Sequence, residues 1–576
     1  MRQRRWTLLL ILFVFAIITS WLWWVRPKKV DMATYAPADS LLYIEANRPL
    51  DVAETIAGTD AWRAFEKTIG APSITPRSRW LQGFIRWTGI GPIQSVILAR
   101  AQIAAVVTDL DAIEEGETLR IKQEEAILIE THTSEGRIKA PFEQAIKALA
   151  EKNYGRPTVR RTTLDGIDFV EWSAPEGTRQ IVAAIIGSLV IVGNTEHVVQ
   201  NCLAVSQGRR QSLKGDPELD RMRLRLGGEN ALTFGYVPTG NSARLLGVGL
   251  PMLLGRAPGD SGFQRLITSG ASKVFGSLGW TSRSYLTGIE DQYLIRLQPS
   301  IVARLRPNFG RSHINSEIQH LVPDDFYSVT SYKFANPDAA WQSLKSAVSS
   351  EVDALSTILF SSLLKSSLFS YGIDDPDSFL GALNGELVTL RLDENGERSI
   401  LIAGVQDRAT LRQLVMRKMG PSARNDHVEQ GETFEDPQSG FAASFINDFI
   451  VLGTAADVRR YAANRQANIE LNGERFRQMT FFASSNTSAN IVTYTNDSDR
   501  VRSFVFAMIA VRGTPVVTSG PIEEAIARLP YSVTETTLSD QGVERITRSS
   551  LGQVSTVLPL LFPEESNHGT TLPQSK

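Results

Sequence analysis

The chain has 576 residues, and its 60 Lys and Arg against 62 Asp and Glu leave a formal net charge of −2 with a pI near 6.4. That balance gives no global basic field, so nucleic acid is not an expected partner. Cys202 is the single cysteine, which excludes an intrachain disulfide and any zinc site built on cysteines.

Residues 6–25 form a run of about 20 uncharged, mostly apolar residues, enough for a helix to cross the ~30 Å hydrocarbon core of a bilayer. Trp6 at one end and Trp21, Trp23 and Trp24 at the other suit the two membrane interfaces. Arg2, Arg4 and Arg5 precede the run and Arg26, Lys28 and Lys29 follow it. The flanking charge is nearly balanced, and the α-amino group tips the N-terminus toward the cytoplasm. The run is longer than a signal-peptide core, and Trp23-Trp24-Val25-Arg26 is no small-x-small cleavage site. The sequence therefore predicts a cytoplasmic tail and uncleaved signal anchor over 1–27. The remainder is expected outside the cytoplasm, held by a single pass in a bacterial inner membrane.

The remaining length exceeds what one core usually supports, and the chain resembles itself. Leu189-Val190-Ile191-Val192-Gly193 is echoed by Phe449-Ile450-Val451-Leu452-Gly453, each followed by a helical pattern. At the same spacing, Leu232-Thr233-Phe234 is echoed by Val492-Thr493-Tyr494. This predicts a linker at 28–35, a first repeat at 36–305, a linker at 306–321, a second repeat at 322–562 and a disordered tail at 563–576. Period-two alternation predicts strands at 94–99, 103–108, 118–121 and 126–130, a helix near 140–152, then strands at 158–163, 167–172, 180–186 and 189–192. In the second repeat, Asn395-Gly396 predicts a hairpin between 386–392 and 398–403. Strands run in groups with helices between them, so the expected class is α+β. The expectation is an N-terminal transmembrane helix, then two tandem homologous repeats with large antiparallel sheets and packed helices.

Pro37, the strand 41–44, the turn 47–51, Asn336-Pro337-Asp338 and the two Gly-ended strand–helix units resemble an uncharacterised bacterial family, domain of unknown function 3352. The resemblance spans most of the chain. It implies a single-anchor envelope protein and supplies no activity or site residues. The first turn, Asn47-Arg48-Pro49-Leu50-Asp51, departs from the family's Asn-Pro-Asp pattern.

Several short motifs read as chemistry only in isolation. Gly259-Asp260-Ser261-Gly262 matches the nucleophile turn of chymotrypsin-like proteases, but Phe263 follows it and no companion His segment precedes it. Ser362-Leu363-Leu364-Lys365 matches the Ser-x-x-Lys of penicillin-recognising enzymes, and Ser485-Asn486 could imitate a second motif, yet no Lys-Thr-Gly strand accompanies them. His132, His197, His313, His320, His427 and His568 make no metal-binding pair. Asp374, Asp375 and Asp377, like Asp109 and Asp111, lack the spacing of a calcium loop. No catalytic residue, cofactor or metal is therefore expected.

Two features remain. Trp80, Phe84 and Trp87 recur at helical spacing beside Arg77, Arg79 and Arg86, a pattern that suits a helix on anionic headgroups or one packed by its aromatic face on the sheet. The apolar segments 243–254 and 501–511, with Leu246, Leu250, Leu253, Phe504 and Met508, suit the buried core or the walls of an apolar groove between repeats. The expected function is a non-enzymatic envelope binding or scaffold protein, with the membrane and an envelope protein, lipid or glycan as partners. The alternatives are an enzyme with a site dispersed in sequence and a scaffold facing the cytoplasm.

Overall fold

A strand with one covered face buries every second side chain, and a strand covered on both faces buries nearly all of them. Both patterns occur in the computed structural model, which describes residues 29–66, 97–98, 100–115, 118–177, 179–245, 261–310, 326–351, 368, 371–420, 424–428, 431–466, 473–483, 489–512, 519–553 and 555. The first ten strands are β1 (Leu42–Ala46), β2 (Gln102–Glu115), β3 (Thr118–Glu130), β4 (Thr158–Leu164), β5 (Ile167–Ser173), β6 (Gln180–Ile186), β7 (Leu189–Gly193), β8 (Thr233–Val237), β9 (Phe275–Tyr285) and β10 (Gly288–Leu297). The second ten are β11 (Ser328–Lys333), β12 (Leu383–Arg391), β13 (Ser399–Val405), β14 (Arg424–Val428), β15 (Gly431–Glu435), β16 (Phe441–Ile446), β17 (Phe449–Thr454), β18 (Ile491–Thr495), β19 (Ser532–Leu538) and β20 (Gly542–Ser549).

All twenty belong to one antiparallel sheet. The pairings give the order β4-β5-β6-β7-β3-β2-β1-β8-β9-β10. From β10 the sheet continues through β20-β19-β18-β11-β12-β13-β17-β16-β15-β14. The expectation of two repeats, each with sheets of its own, is corrected here. β10 pairs with β20 from Ile289↔Ser549 to Arg296↔Gly542, so a single sheet runs through both. Local alternation places strands without naming their partners, and the outer strands of the hairpins β9–β10 and β19–β20 satisfy each other's backbone groups. The expected anchor at 6–25 lies outside the described residues. Among those described, no helix is long and apolar enough to cross a membrane.

The order reads the same from either edge to the β10–β20 junction, and so does the register. One row passes Ile44, Ala105, Ile127, Val192 and Ala183. Its counterpart passes Thr330, Thr389, Leu401, Leu452 and Ala443. Finer expectations shift: 118–121 and 126–130 belong to one strand, β3, and Ile97 and Leu98 lie in a helical turn where a strand is expected.

Helices cover both faces. In the first half, helix Glu135–Tyr154 sets Ile138, Phe142 and Ile146 on Ile185, Val190, Val170 and Trp172. On the other face, helix Glu196–Ser206 sets Val198, Val199, Cys202 and Leu203 against Tyr43, Val106, Leu128 and Ile191. Gly193 permits that approach, since a β-carbon there would lie 2.6 Å from Val198 Cγ1 and 2.9 Å from Val199 Cγ2. In the second half, helices Arg408–Met419 and Ala455–Gln466 take the corresponding positions.

Near the junction the halves exchange helices. Trp62 and Phe65 of helix Asp60–Phe65 share a core with Val501, Phe504 and Val505 of helix Ser498–Arg512, and with Ile522 and Ile526. Reciprocally, helix Pro337–Glu351 brings Leu344 and Ala347 to Val274, Ile301 and Leu305. The junction also buries polar groups. Asp291, 1% exposed, accepts from Ser282 Oγ and, at 2.9 Å, from the Gln553 amide.

Candidate functional site

The deepest contrast between the halves lies where β3 and β13 hand the chain to a helix. The register aligns Glu130 with Gly404: Glu130 faces Leu189 on β7, and Gly404 faces Phe449 on β17. Beyond them, Thr131 N donates to Ser188 O at 2.9 Å and Val405 N to Asp448 O at 2.8 Å. The turns then diverge.

In the second half the turn is closed. The amides of Gln406 and Asp407 both donate to Ala382 O, at 2.9 and 3.0 Å. Asp407 caps its helix, accepting from Thr410 N at 3.1 Å and Thr410 Oγ1 at 2.7 Å, and these bonds hold its carboxyl below the usual carboxylate range. The Asn384 carboxamide occupies the space a side chain at Gly404 would need.

In the first half the stretch from strand to N-cap is one residue longer, Glu130 to Ser134 against Gly404 to Asp407. His132 sits within it at φ 52°, a left-handed conformation that non-glycine residues adopt sparingly. Its amide donates to Glu130 Oε1 at 2.9 Å, and its Nδ1 lies 3.8 Å from the same oxygen. Tyr35 Oη donates to Glu130 Oε2 at 3.0 Å. Burial and the Glu130 charge push the Tyr35 phenol well above its ordinary range, so it stays protonated. Both Glu130 oxygens are thereby engaged, and the residue is only 2% exposed.

These residues line an open cleft, whose empty space including its solvent-facing mouth is about 1190 Å³, with Val30, Arg100, Thr131, Thr133, Ser134, Gly187 and Ser188. Thr131 Oγ1 donates to Ser188 O at 2.8 Å and Thr133 Oγ1 to Thr131 O at 3.1 Å. Ser134 is the N-cap of helix Glu135–Tyr154 but makes no side-chain cap bond. Among the described residues, the Arg100 guanidinium, Ser134 Oγ and Ser188 Oγ have no partner. The cleft thus presents donors and acceptors in comparable number, one free cation, and one anion that is already saturated.

Val30 ties this cleft to the chain's entry into the fold. Its N–H donates to Gln102 Oε1 at 2.7 Å and its carbonyl accepts from Gln102 Nε2 at 2.8 Å. Next to it, Asp31 and Glu45 share Arg223, whose Nη2 lies 3.0 Å from each, and Tyr43 donates to Glu45 at 2.7 Å.

The residues singled out from the sequence fall elsewhere. Trp80, Phe84, Trp87, Arg79 and Arg86 lie outside the described residues, as do Leu246, Leu250 and Leu253. Phe504 is 3% exposed, in the helix-exchange core, and Met508 lies further along the same helix. Ser362 and Lys365 lie outside the described residues, and Ser261 begins helix Ser261–Val274. The acidic turns are engaged: Asp374 with Lys418 at 2.8 Å, Asp375 with Arg417 at 3.1 Å, Asp377 with Trp341 Nε1 at 2.9 Å and Asp109 with Arg244 at 2.8 Å. Among the described residues no group of three or more His, Cys, Asp or Glu is placed to hold a metal ion. Sequence reading weighed His132 only as a metal ligand and passed over Tyr35, Arg100 and Glu130. The available signal was the polar run Glu130-Thr131-His132-Thr133-Ser134 between an apolar strand and a helix.

This is a protein built on one antiparallel sheet flanked by helices, with an open polar cleft beside the strand-to-helix turn of its first half. Comparison of the chain with protein-family models, curated proteins and solved structures finds no match.

Proposed function

We propose that the chain is a membrane-tethered binding protein of the bacterial envelope. Residues 6–25 hold it by a single pass in the inner membrane, the sheet lies outside the cytoplasm, and the cleft at the root of the tether receives a polar part of an envelope component. The observation that carries this reading is the position of Val30. It lies five residues beyond the apolar run, it is clamped by Gln102, and it forms part of the cleft wall. A cleft so placed is held within a short chain length of the headgroup layer, where tethering raises the effective concentration of surface-bound ligands. The saturated state of Glu130 supports binding in preference to catalysis, because both its oxygens are occupied by the protein's own donors.

Alkaline phosphatase fused after residue 576 should be active in bacteria, and the full chain should stay in membranes through carbonate extraction. Material co-purifying with the detergent-extracted chain should be depleted by Arg100→Glu. Activity only from a cytoplasmic reporter, or release by carbonate, would overturn the tether. Equal co-purification with Arg100→Glu would overturn the cleft's role.

A further inference from the structure

We infer that the cleft between Tyr35, Arg100, His132 and Ser134 binds an uncharged, hydroxyl-rich oligosaccharide segment. This rests on the reading of the cleft as a binding site and is independent of the tether.

The two halves of the sheet provide an internal comparison. At aligned positions one half closes the strand-to-helix turn with Gly404, Asn384 and a capping Asp407. The other half opens it with Glu130, an extra residue at positive φ and an uncapped Ser134. The closed version shows that the architecture needs none of the polar groups gathered at 130–134. Leaving hydroxyls and a guanidinium without protein partners forgoes the stabilisation a cap supplies, and a ligand that bonds to them would offset that loss.

The chemistry of the walls selects the ligand class. A phosphate or carboxylate site needs surplus positive charge, and among the described lining residues the one guanidinium, Arg100, is offset in number by Glu130. A cationic ligand needs an accessible carboxylate, and Glu130 is buried with both oxygens taken. An acyl chain needs an apolar floor, whereas among the described residues Val30 is the one aliphatic side chain in the lining. What remains is a polar surface of hydroxyls, an imidazole, a single guanidinium and the Tyr35 ring. Thr133 donates inward and keeps lone pairs for a ligand, while Arg100 and Ser134 offer donors. Sugar hydroxyls, each both donor and acceptor, match such a mixture. The cleft is also open to solvent, so an oligosaccharide need not be enclosed to enter it.

The test is titration calorimetry on the full chain in detergent micelles. The probes are tetra-N-acetylchitotetraose and maltotetraose, with inorganic phosphate and phosphatidylglycerol vesicles as comparisons. Saturable binding of at least one tetrasaccharide is expected, weakened about tenfold by Arg100→Ala, whose lost bonds are charge-assisted. His132→Asn, which tolerates the same backbone conformation, should weaken it too, while Arg417→Ala in the other half leaves it unchanged. Unaltered melting curves will show that the variants fold. No saturable binding of either sugar, sugar binding that survives both cleft variants, or binding of phosphate or vesicles alone overturns the inference. Sugar binding by a chain that fails the phosphatase test would remove the tether and leave this site standing.

Discussion

The Gln102 side chain bonds to both backbone groups of Val30, accepting from its N–H at 2.7 Å and donating to its carbonyl at 2.8 Å. A single carboxamide thus does for residue 30 what a neighbouring strand does for a residue inside the sheet. Gln102 is 2% exposed and also donates to Asn47 Oδ1 at 2.9 Å, so its orientation is fixed from two sides.

Replacing Gln102 by Ala removes three hydrogen bonds and should cost about 2–3 kcal/mol, at roughly 1 kcal/mol per bond. Hydrogen exchange at the Val30 amide should accelerate well beyond that global loss, because the clamp is local. If Val30 exchanges no faster than neighbouring amides in the variant, the clamp is not what holds it.

Asp291 gives the protein a stability that depends on pH. Burial pushes its carboxyl up to about 6, against which Ser282, the Gln553 amide and Arg500 act only in part. A raised folded-state pKa means that the stabilising contribution is complete below the ordinary carboxyl range and is lost as pH rises through about 6. Stability should therefore increase by on the order of 2–3 kcal/mol as pH falls from 7 toward 4, so far as this group decides it. Asp291→Asn should flatten that slope and be the more stable form at pH 7. A variant with an unchanged slope in denaturant titrations would assign it to other groups.

Trp62 and Phe504 come from opposite halves and share one core. Each truncation to Ala should cost about 3–5 kcal/mol. The double variant should lose less than the sum of the two, with coupling of about 1 kcal/mol, as expected for aromatic residues in one cluster. Strict additivity in unfolding measurements would mean that the exchanged helices are not energetically linked.

These results separate what the sequence discloses from what it does not. Alternation located most strands, and Asn395-Gly396 marked the turn between β12 and β13, because each depends on residues a few positions apart. Gly193 and Gly453 were visible as glycines closing apolar runs, and each lacks room for a β-carbon, Gly193 against the helix that follows and Gly453 against the Ser399 carbonyl. The β10–β20 pairing was not legible, since it joins residues about 250 positions apart and any alternating strand could have supplied the partner. The cleft was hidden for the same reason: Tyr35, Arg100 and Glu130 meet only once β3 has been placed. The trio Asp31, Glu45 and Arg223 was equally scattered.

That trio carries its own expectation. Glu45 is 4% exposed and Arg223 largely buried, so removing the cation strands two carboxylates. Arg223→Ala should destabilise the protein by about 3–5 kcal/mol. Glu45→Gln in the Arg223→Ala background should recover part of that loss by deleting one stranded charge. A surface-like effect below about 1 kcal/mol for Arg223→Ala would show that water reaches the group.

Joining the halves through β10 and β20 also changes how many open rims the molecule has. Two separate ten-stranded sheets would carry four edge strands, each a row of unpaired amides and carbonyls ready to recruit another chain. The seam consumes two, leaving β4 and β14. On β4, Arg160 is tied to Glu171 and Glu196, and Arg161 to Glu143. An incoming strand would meet two adjacent guanidiniums there, so the longer of the two remaining rims is guarded against self-association.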